Sequence, residues 1–247
     1  MDGWLEVGDG VYCRRYDPWD VSVGVVVGRS GVVVIDTRAT VEEGLRLVDD
    51  VRALDRRPPR WVVNTHRHFD HLAGNPAFVP PAEACGHPTL DPPPALPVPD
   101  RTTLDLGDRT VELRHLGRGH TDGDLVVVAT EAGVVFAGDL VEESGPPAFG
   151  DDSHPLDWPT TAARLLGLLQ PGDRVVPGHG AVVDRAFVAA QQRDLAAVAR
   201  AIRHLWVGEV ALEEALAAYG ERWPWSGEVL REAVARGYAE LDRLAER

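Results

Sequence analysis

The chain has 247 residues, 44% of them apolar, and a formal net charge of −14 at pH 7. That apolar content fills the core of one large α/β domain, or of one domain with a helical appendage. So acidic a surface repels phosphate backbones, which proteins hold through clustered Lys and Arg, and this argues against a nucleic-acid partner. The basic residues are all arginine, a composition that reads as the codon bias of a GC-rich genome. The first residues, Met-Asp-Gly-Trp-Leu-Glu, lack the basic start and apolar centre of a signal peptide. No run of about eighteen apolar residues occurs anywhere, so a cytoplasmic protein without a membrane partner is expected. Two cysteines, Cys13 and Cys85, do not make a disulfide framework.

Residues 10–36 carry apolar runs broken at Asp17-Pro18-Trp19-Asp20 and Gly28-Arg29-Ser30-Gly31, which predicts a β-meander ending at Asp36. Thr40 is placed to cap a helix over 41–54, where Val41, Leu45, Val48, Val51 and Leu54 recur at helical spacing before Pro58-Pro59. Trp61, Val62 and Val63 read as a buried strand. Directly after it comes Asn-Thr-His-Arg-His-Phe-Asp-His-Leu-Ala-Gly-Asn over 64–75, which crowds His66, His68, Asp70 and His71 into six positions. Metal ligands leaving a strand end in a tight loop can point at one spot with little bending of the backbone. Leu72-Ala73 before Gly74 suits a short helical turn. Residues 76–99 hold nine prolines and little periodicity, which predicts an ordered loop around a short strand. This segment could wall a site or merely connect.

Further ligand types follow at intervals. Gly-Arg-Gly-His-Thr-Asp-Gly-Asp spans 117–124, Ala-Gly-Asp spans 137–139 after Val134-Val135-Phe136, and Pro-Gly-His-Gly spans 177–180 after Val175-Val176. Each sets a His or Asp past an apolar run and beside glycine, which permits close backbone approach. The segment from Glu142 to Pro155 is too rich in Gly and Pro for helix and should border the substrate. Phe149, His154 and Trp158 are its candidate pocket residues. Beyond His179, Phe187, Val188, Leu195, Val198, Ile202 and Leu205 form one helical stripe, and Leu230, Val234, Tyr238, Leu241 and Leu244 another. Such stripes serve a core, a pocket cap or a homodimer interface. Between them Trp223-Pro224-Trp225-Ser226-Gly227 predicts a turn, with Ser226 capping the last helix.

The ordered set THRHFDH, GRGHTDGD, AGD and PGHG resembles the metallo-β-lactamase-fold hydrolase superfamily, over roughly residues 4–185. The resemblance implies an αββα sandwich: 1–185 as catalytic domain, 186–247 as a C-terminal helical extension packed on it. It also implies that His66, His68 and His120 hold one metal, that Asp70, His71 and His179 hold a second, and that Asp139 bridges both. Asp36, at the end of Val32-Val33-Val34-Ile35, becomes the carboxylate that orients a ligating His. His68 stands where the oxygen-reducing diiron branch carries Glu. Asp139 stands where the clinical β-lactamases carry Cys or Ser, so a bridging carboxylate fits glyoxalase-II-like, lactonase-like and similar hydrolases better. The C-terminal helices lack the basic thiol-conjugate site that glyoxalase II itself would need.

Imidazole and carboxylate donors suit two Zn2+ ions and also accept Fe or Mn. The expected activity is hydrolysis of a small carbonyl substrate (ester, thioester, lactone or lactam) by a metal-bridging hydroxide, with Asp70 as the orienting catalytic residue. No Gly-x-Ser-x-Gly turn offers a serine alternative. Two other readings of the same residues are a mononuclear iron enzyme of the persulfide-dioxygenase type, using only His66, His120 and Asp139, and a metal-binding protein without turnover.

Overall fold

The computed structural model describes residues 3–219, 223–225 and 227–246. Ser226, expected to cap the last helix, lies outside them.

The apolar runs become strands β1 (Leu5–Gly8), β2 (Val11–Tyr16), β3 (Val21–Gly28) and β4 (Gly31–Ile35), the predicted meander. Helix α1 (Val41–Leu54) follows, and then β5 (Trp61–Val63), α2 (Phe69–Leu72), β6 (Glu83–Gly86) and β7 (Leu96–Pro97). The second half comprises β8 (Arg101–Asp105), β9 (Thr110–His115), β10 (Leu125–Ala129), β11 (Val134–Glu142), α3 (Trp158–Leu168), β12 (Arg174–His179) and β13 (Val183–Asp184). Among the described residues, α4 (Arg185–Val207), α5 (Leu212–Tyr219) and α6 (Glu228–Ala245) follow.

Strands β3 to β7 make one half-sheet, edged by β2 and β1, and β8 to β12 make the other, with β13 beside β12. The halves join between β3 and β12 at one residue pair, Val21 with His179, so a single sheet curls over on itself. Alternation along β4 shows why the inner strands are apolar on both faces. Val33 and Ile35 enter the core between the half-sheets, where they meet Leu113, Val127 and Phe136 from the opposite half. Val32 and Val34 face outward onto Leu47 and Val51 of α1. On the far side Val126, Val135 and Val175 are covered by α3, α4 and α6 through Leu165, Leu195, Ile202 and Val234. The layers are therefore helix, sheet, sheet, helix. Among the described residues no helix is long and apolar enough to cross a membrane.

Three local expectations are refined. First, α1 has the predicted bounds and the Thr40 cap, whose side chain accepts from Glu43 N–H, but Val41 and Leu45 of the expected stripe are exposed. The buried line runs through Gly44, Leu47 and Val51 because the helix rests directly on the backbone of the metal-motif loop. A Cβ at Gly44 would stand 2.6 Å from Gly74 O. Second, segment 76–99 forms two short strands rather than one, both parallel extensions of β5. Its His87 and Thr89 lean on Gly123, behind the 117–124 loop. Third, the C-terminal stripes are core: Leu195, Val198 and Ile202 of α4 and Leu230 and Val234 of α6 are buried together. Leu244 alone of the α6 stripe stays exposed.

Candidate metal centre

Strand ends from both half-sheets meet at the seam. β5 delivers His66 and His68, and α2, one turn long, delivers Asp70 and His71. The β9–β10 loop brings His120, and His179 is the last residue of β12. Asp139 lies within β11 rather than past its end. There the pairing with β12 slips on both sides of Gly138, and the irregularity turns the carboxylate inward. Gly178 makes the approach feasible, since a Cβ there would come within 1.8 Å of Asp139 Oδ1.

Each of the five imidazoles is anchored through its outward nitrogen. His71 Nδ1 donates to Asp36 at 2.8 Å, His179 Nδ1 to the Trp19 carbonyl at 2.7 Å, and His120 Nδ1 to the Ala148 carbonyl at 3.1 Å. His68 Nε2 donates to Asp152 at 3.2 Å, and His66 Nδ1 faces Thr65 Oγ1 at 3.1 Å. Thr65 Oγ1 in turn donates to Asp36, so it is free to accept from His66. These contacts fix the tautomers and leave five inward lone pairs.

The inward atoms form two groups. His68 Nδ1 and His120 Nε2 are 2.8 Å apart, and Asp139 Oδ2 lies 3.3 Å from His120 Nε2 and 3.7 Å from His66 Nε2. Asp70 Oδ2 lies 3.3 Å from His179 Nε2 and 3.6 Å from His71 Nε2, with the two imidazole nitrogens 3.4 Å apart. Asp139 also reaches the second group, 3.1 Å from His71 and 3.4 Å from His179. A tetrahedron of zinc ligands with bonds of about 2.0–2.1 Å has edges of about 3.3–3.4 Å. Four of these eight separations fall at that value, and the others lie between 2.8 and 3.7 Å.

Polar accounting points the same way. His66 Nε2 and Asp139 Oδ1 are buried without a hydrogen-bond partner, a costly state that a cation beside each would relieve. Burial opposes charge on every ring, yet Asp139 and Asp36 outweigh it at His71 and hold that imidazole well above its usual range. At His179, burial is likewise overcome by Asp139 and Asp70, which push it up to about 11. Burial prevails at His120, which falls to about 4, and at His66, where the His71 charge adds to it. At His71 and His179 the carboxylates thus favour positive charge, the role divalent ions would fill.

Of the candidate pocket residues, Phe149 and Trp158 are fully buried, and Phe149 packs against Trp158 at 5.2 Å between ring centroids. Trp158 backs the centre, edge-on to His120 at 5.6 Å, rather than facing a ligand. Their size filled the outer core beneath the loop. His154 is half-buried and donates to Asp122 at 2.7 Å, outside both groups. Four other residues border the centre. Trp19 and Phe69, 51% and 54% exposed, stack edge to face at 5.5 Å beside His179 and Asp70. Asp152 binds both His68 and Arg67. Glu142 is buried within ligand reach of Asp139 and His179, and burial together with the Asp139 charge holds it well above the usual carboxylate range.

A family model described as the metallo-beta-lactamase superfamily matches residues 16–88 and 80–179. The chain belongs to the metallo-beta-lactamase superfamily. It is 26% identical over 197 residues to a metallo-beta-lactamase type 2 of Bacillus cereus, covering 75% of this chain and 76% of that protein. It is also 26% identical over 221 residues to the human acyl-coenzyme A thioesterase MBLAC2, covering 70% and 79% of the two chains. Among solved structures, a metallo-beta-lactamase from Pontibacter korlensis superposes with a TM-score of 0.67 at 22% identity, covering 77% of this chain and 98% of that one. The sec-alkylsulfatase Pisa1 from Pseudomonas sp. superposes with a TM-score of 0.79 at 15% identity, covering 96% of this chain and 50% of that one. As a superfamily member with curated hydrolase relatives, the chain is a metallo-hydrolase.

Proposed function

We propose that the protein is a dinuclear metal-dependent hydrolase of a small carbonyl substrate. Segment 1–185 carries the chemistry and 186–247 packs on it as a helical extension. The observation that carries this reading is the pairing of two ligand groups through Asp139, with every imidazole oriented by a partner of its own. His66, His68, His120 and Asp139 would hold one ion, and Asp70, His71, His179 and Asp139 the other. Zinc suits the donors best, and iron or manganese would accept them. Two such ions supply a water of lowered pKa and a Lewis acid for the carbonyl oxygen. The chain's own residues do the rest. Asp70 orients the nucleophile and can pass its proton toward the leaving group. Trp19 and Phe69 offer an apolar wall for an acyl or leaving group. A mononuclear iron enzyme would leave Asp70, His71 and His179 gathered for nothing.

Elemental analysis tests the count: close to two transition-metal ions per chain are expected. His120→Ala should lose the first preferentially and His179→Ala the second. One tightly held ion in the wild type, unaffected by His179→Ala, defeats the dinuclear reading.

The relatives' names bring lactams and thioesters into the substrate class, and the net charge of −14 disfavours polyanions. Esters, thioesters, lactones and a cephalosporin reporter should all be cleaved faster than single-stranded RNA or DNA at moderate salt. Nuclease activity at low salt that exceeds every carbonyl substrate would overturn this assignment.

A further inference from the structure

A line of charge contacts runs from the C-terminal helix to the first ligand group. On α6, Glu240 Oε1 faces His154 Nδ1 at 3.9 Å and Arg118 at 3.4 Å. His154 Nε2 donates to Asp122 at 2.7 Å, and Asp122 faces the Arg67 guanidinium at 3.9 Å. Arg67 Nε donates to Asp152 at 2.7 Å, and Asp152 accepts from His68 Nε2. One turn before Glu240 on the same helix, Arg236 pairs with Asp151, next to Asp152. The loop held at these points also gives His120 its anchor, the Ala148 carbonyl. These contacts join residues from four separated parts of the chain, and the helix among them lies beyond the segment that matches the family model.

We infer that α6, through Glu240, is a positioning element for the first metal subsite. Resting on the dinuclear reading, the inference names residues that tune one ion and leave the other alone. His68 must present Nδ1 inward, which requires its Nε2–H to be held. Asp152 holds it only while Arg67 fixes the carboxylate. Arg67 is steered by Asp122, which His154 and Glu240 keep in place. Among the described residues no comparable line reaches His71 or His179, which are anchored by Asp36 and by the Trp19 carbonyl.

The test is metal affinity, read by chelator competition on the full chain, with Co2+ absorption as the signature of the first subsite. Glu240→Gln, which keeps shape and removes charge, should weaken the first ion about tenfold, within the range for partners of ligating groups. The second ion should stay within about twofold, and melting of the metal-free protein should not change. Asp122→Asn, at a more exposed position, should act alike. A double-mutant cycle separates positioning from general stability: in an Asp152→Asn background, Glu240→Gln should add almost nothing. Equal weakening of both ions, a full effect in the Asp152→Asn background, or no effect with normal wild-type loading each overturns the inference. A wild type that holds no ion at His66, His68 and His120 overturns the dinuclear reading itself.

Discussion

Asp70→Asn is expected to lower turnover of a model ester or lactone by at least about a hundredfold, the range for losing a general base and orienting group. The substitution keeps size and leaves an amide oxygen, so the fold and the contact with His179 at 3.3 Å can survive. What disappears is the negative charge that would attract a proton from the nucleophile. KM should move much less than kcat, since Asp70 is proposed to act on the attacking group rather than on the substrate. Steady-state kinetics with parallel metal analysis provides the check. Near-full turnover with metal content intact would remove Asp70 from the mechanism.

Asp36→Ala should be the most destabilising single substitution around the centre. Asp36 is 1% exposed and accepts three hydrogen bonds, from Thr65 N–H, Thr65 Oγ1 and His71 Nδ1, each at 2.8 Å. Truncation strands these buried donors at about 1–3 kcal/mol each. The residue also sits at φ +63, a left-handed conformation that Asp tolerates better than Ala. A loss of about 3–5 kcal/mol is expected by denaturant titration. Asp36→Asn separates the roles. An amide accepts at one end only, so it must either confront Thr65 N–H with a donor or force His71 to carry its proton on the inward nitrogen. That variant should fold better than Asp36→Ala yet bind the second ion about 10–100-fold more weakly. Unchanged metal binding in Asp36→Asn would mean that His71 needs no such partner.

What could be read in advance followed from how local each signal was. Thr40 and the prolines after Leu54 set the bounds of α1, because capping and breaking act within a turn. Its buried face was hidden, because that depends on Gly44 touching Gly74, a contact between elements. His66, His68, Asp70 and His71 announced themselves by crowding, and glycine marked His120, Asp139 and His179. Asp152 carried no such mark. Its partner His68 is 84 residues away, and the available hints were an acidic pair in a loop and an arginine standing between two histidines. Phe149 and Trp158 illustrate the opposite failure. A large aromatic beside a loop suits a pocket and a core equally in one dimension, and here the layer of α3 and α4 took both.

The curled sheet closes at Val21 and His179, beside the ligands. His66, His68, Asp70 and His71 belong to one half-sheet, and His120, Asp139 and His179 to the other. Ions held by this set would cross-link distant stretches of chain much as disulfides do, reducing the freedom of any partly opened state. Such ions would also register the halves against each other. The distance across the seam would then be governed by bond lengths of about 2 Å rather than by the softer fit of valine against valine.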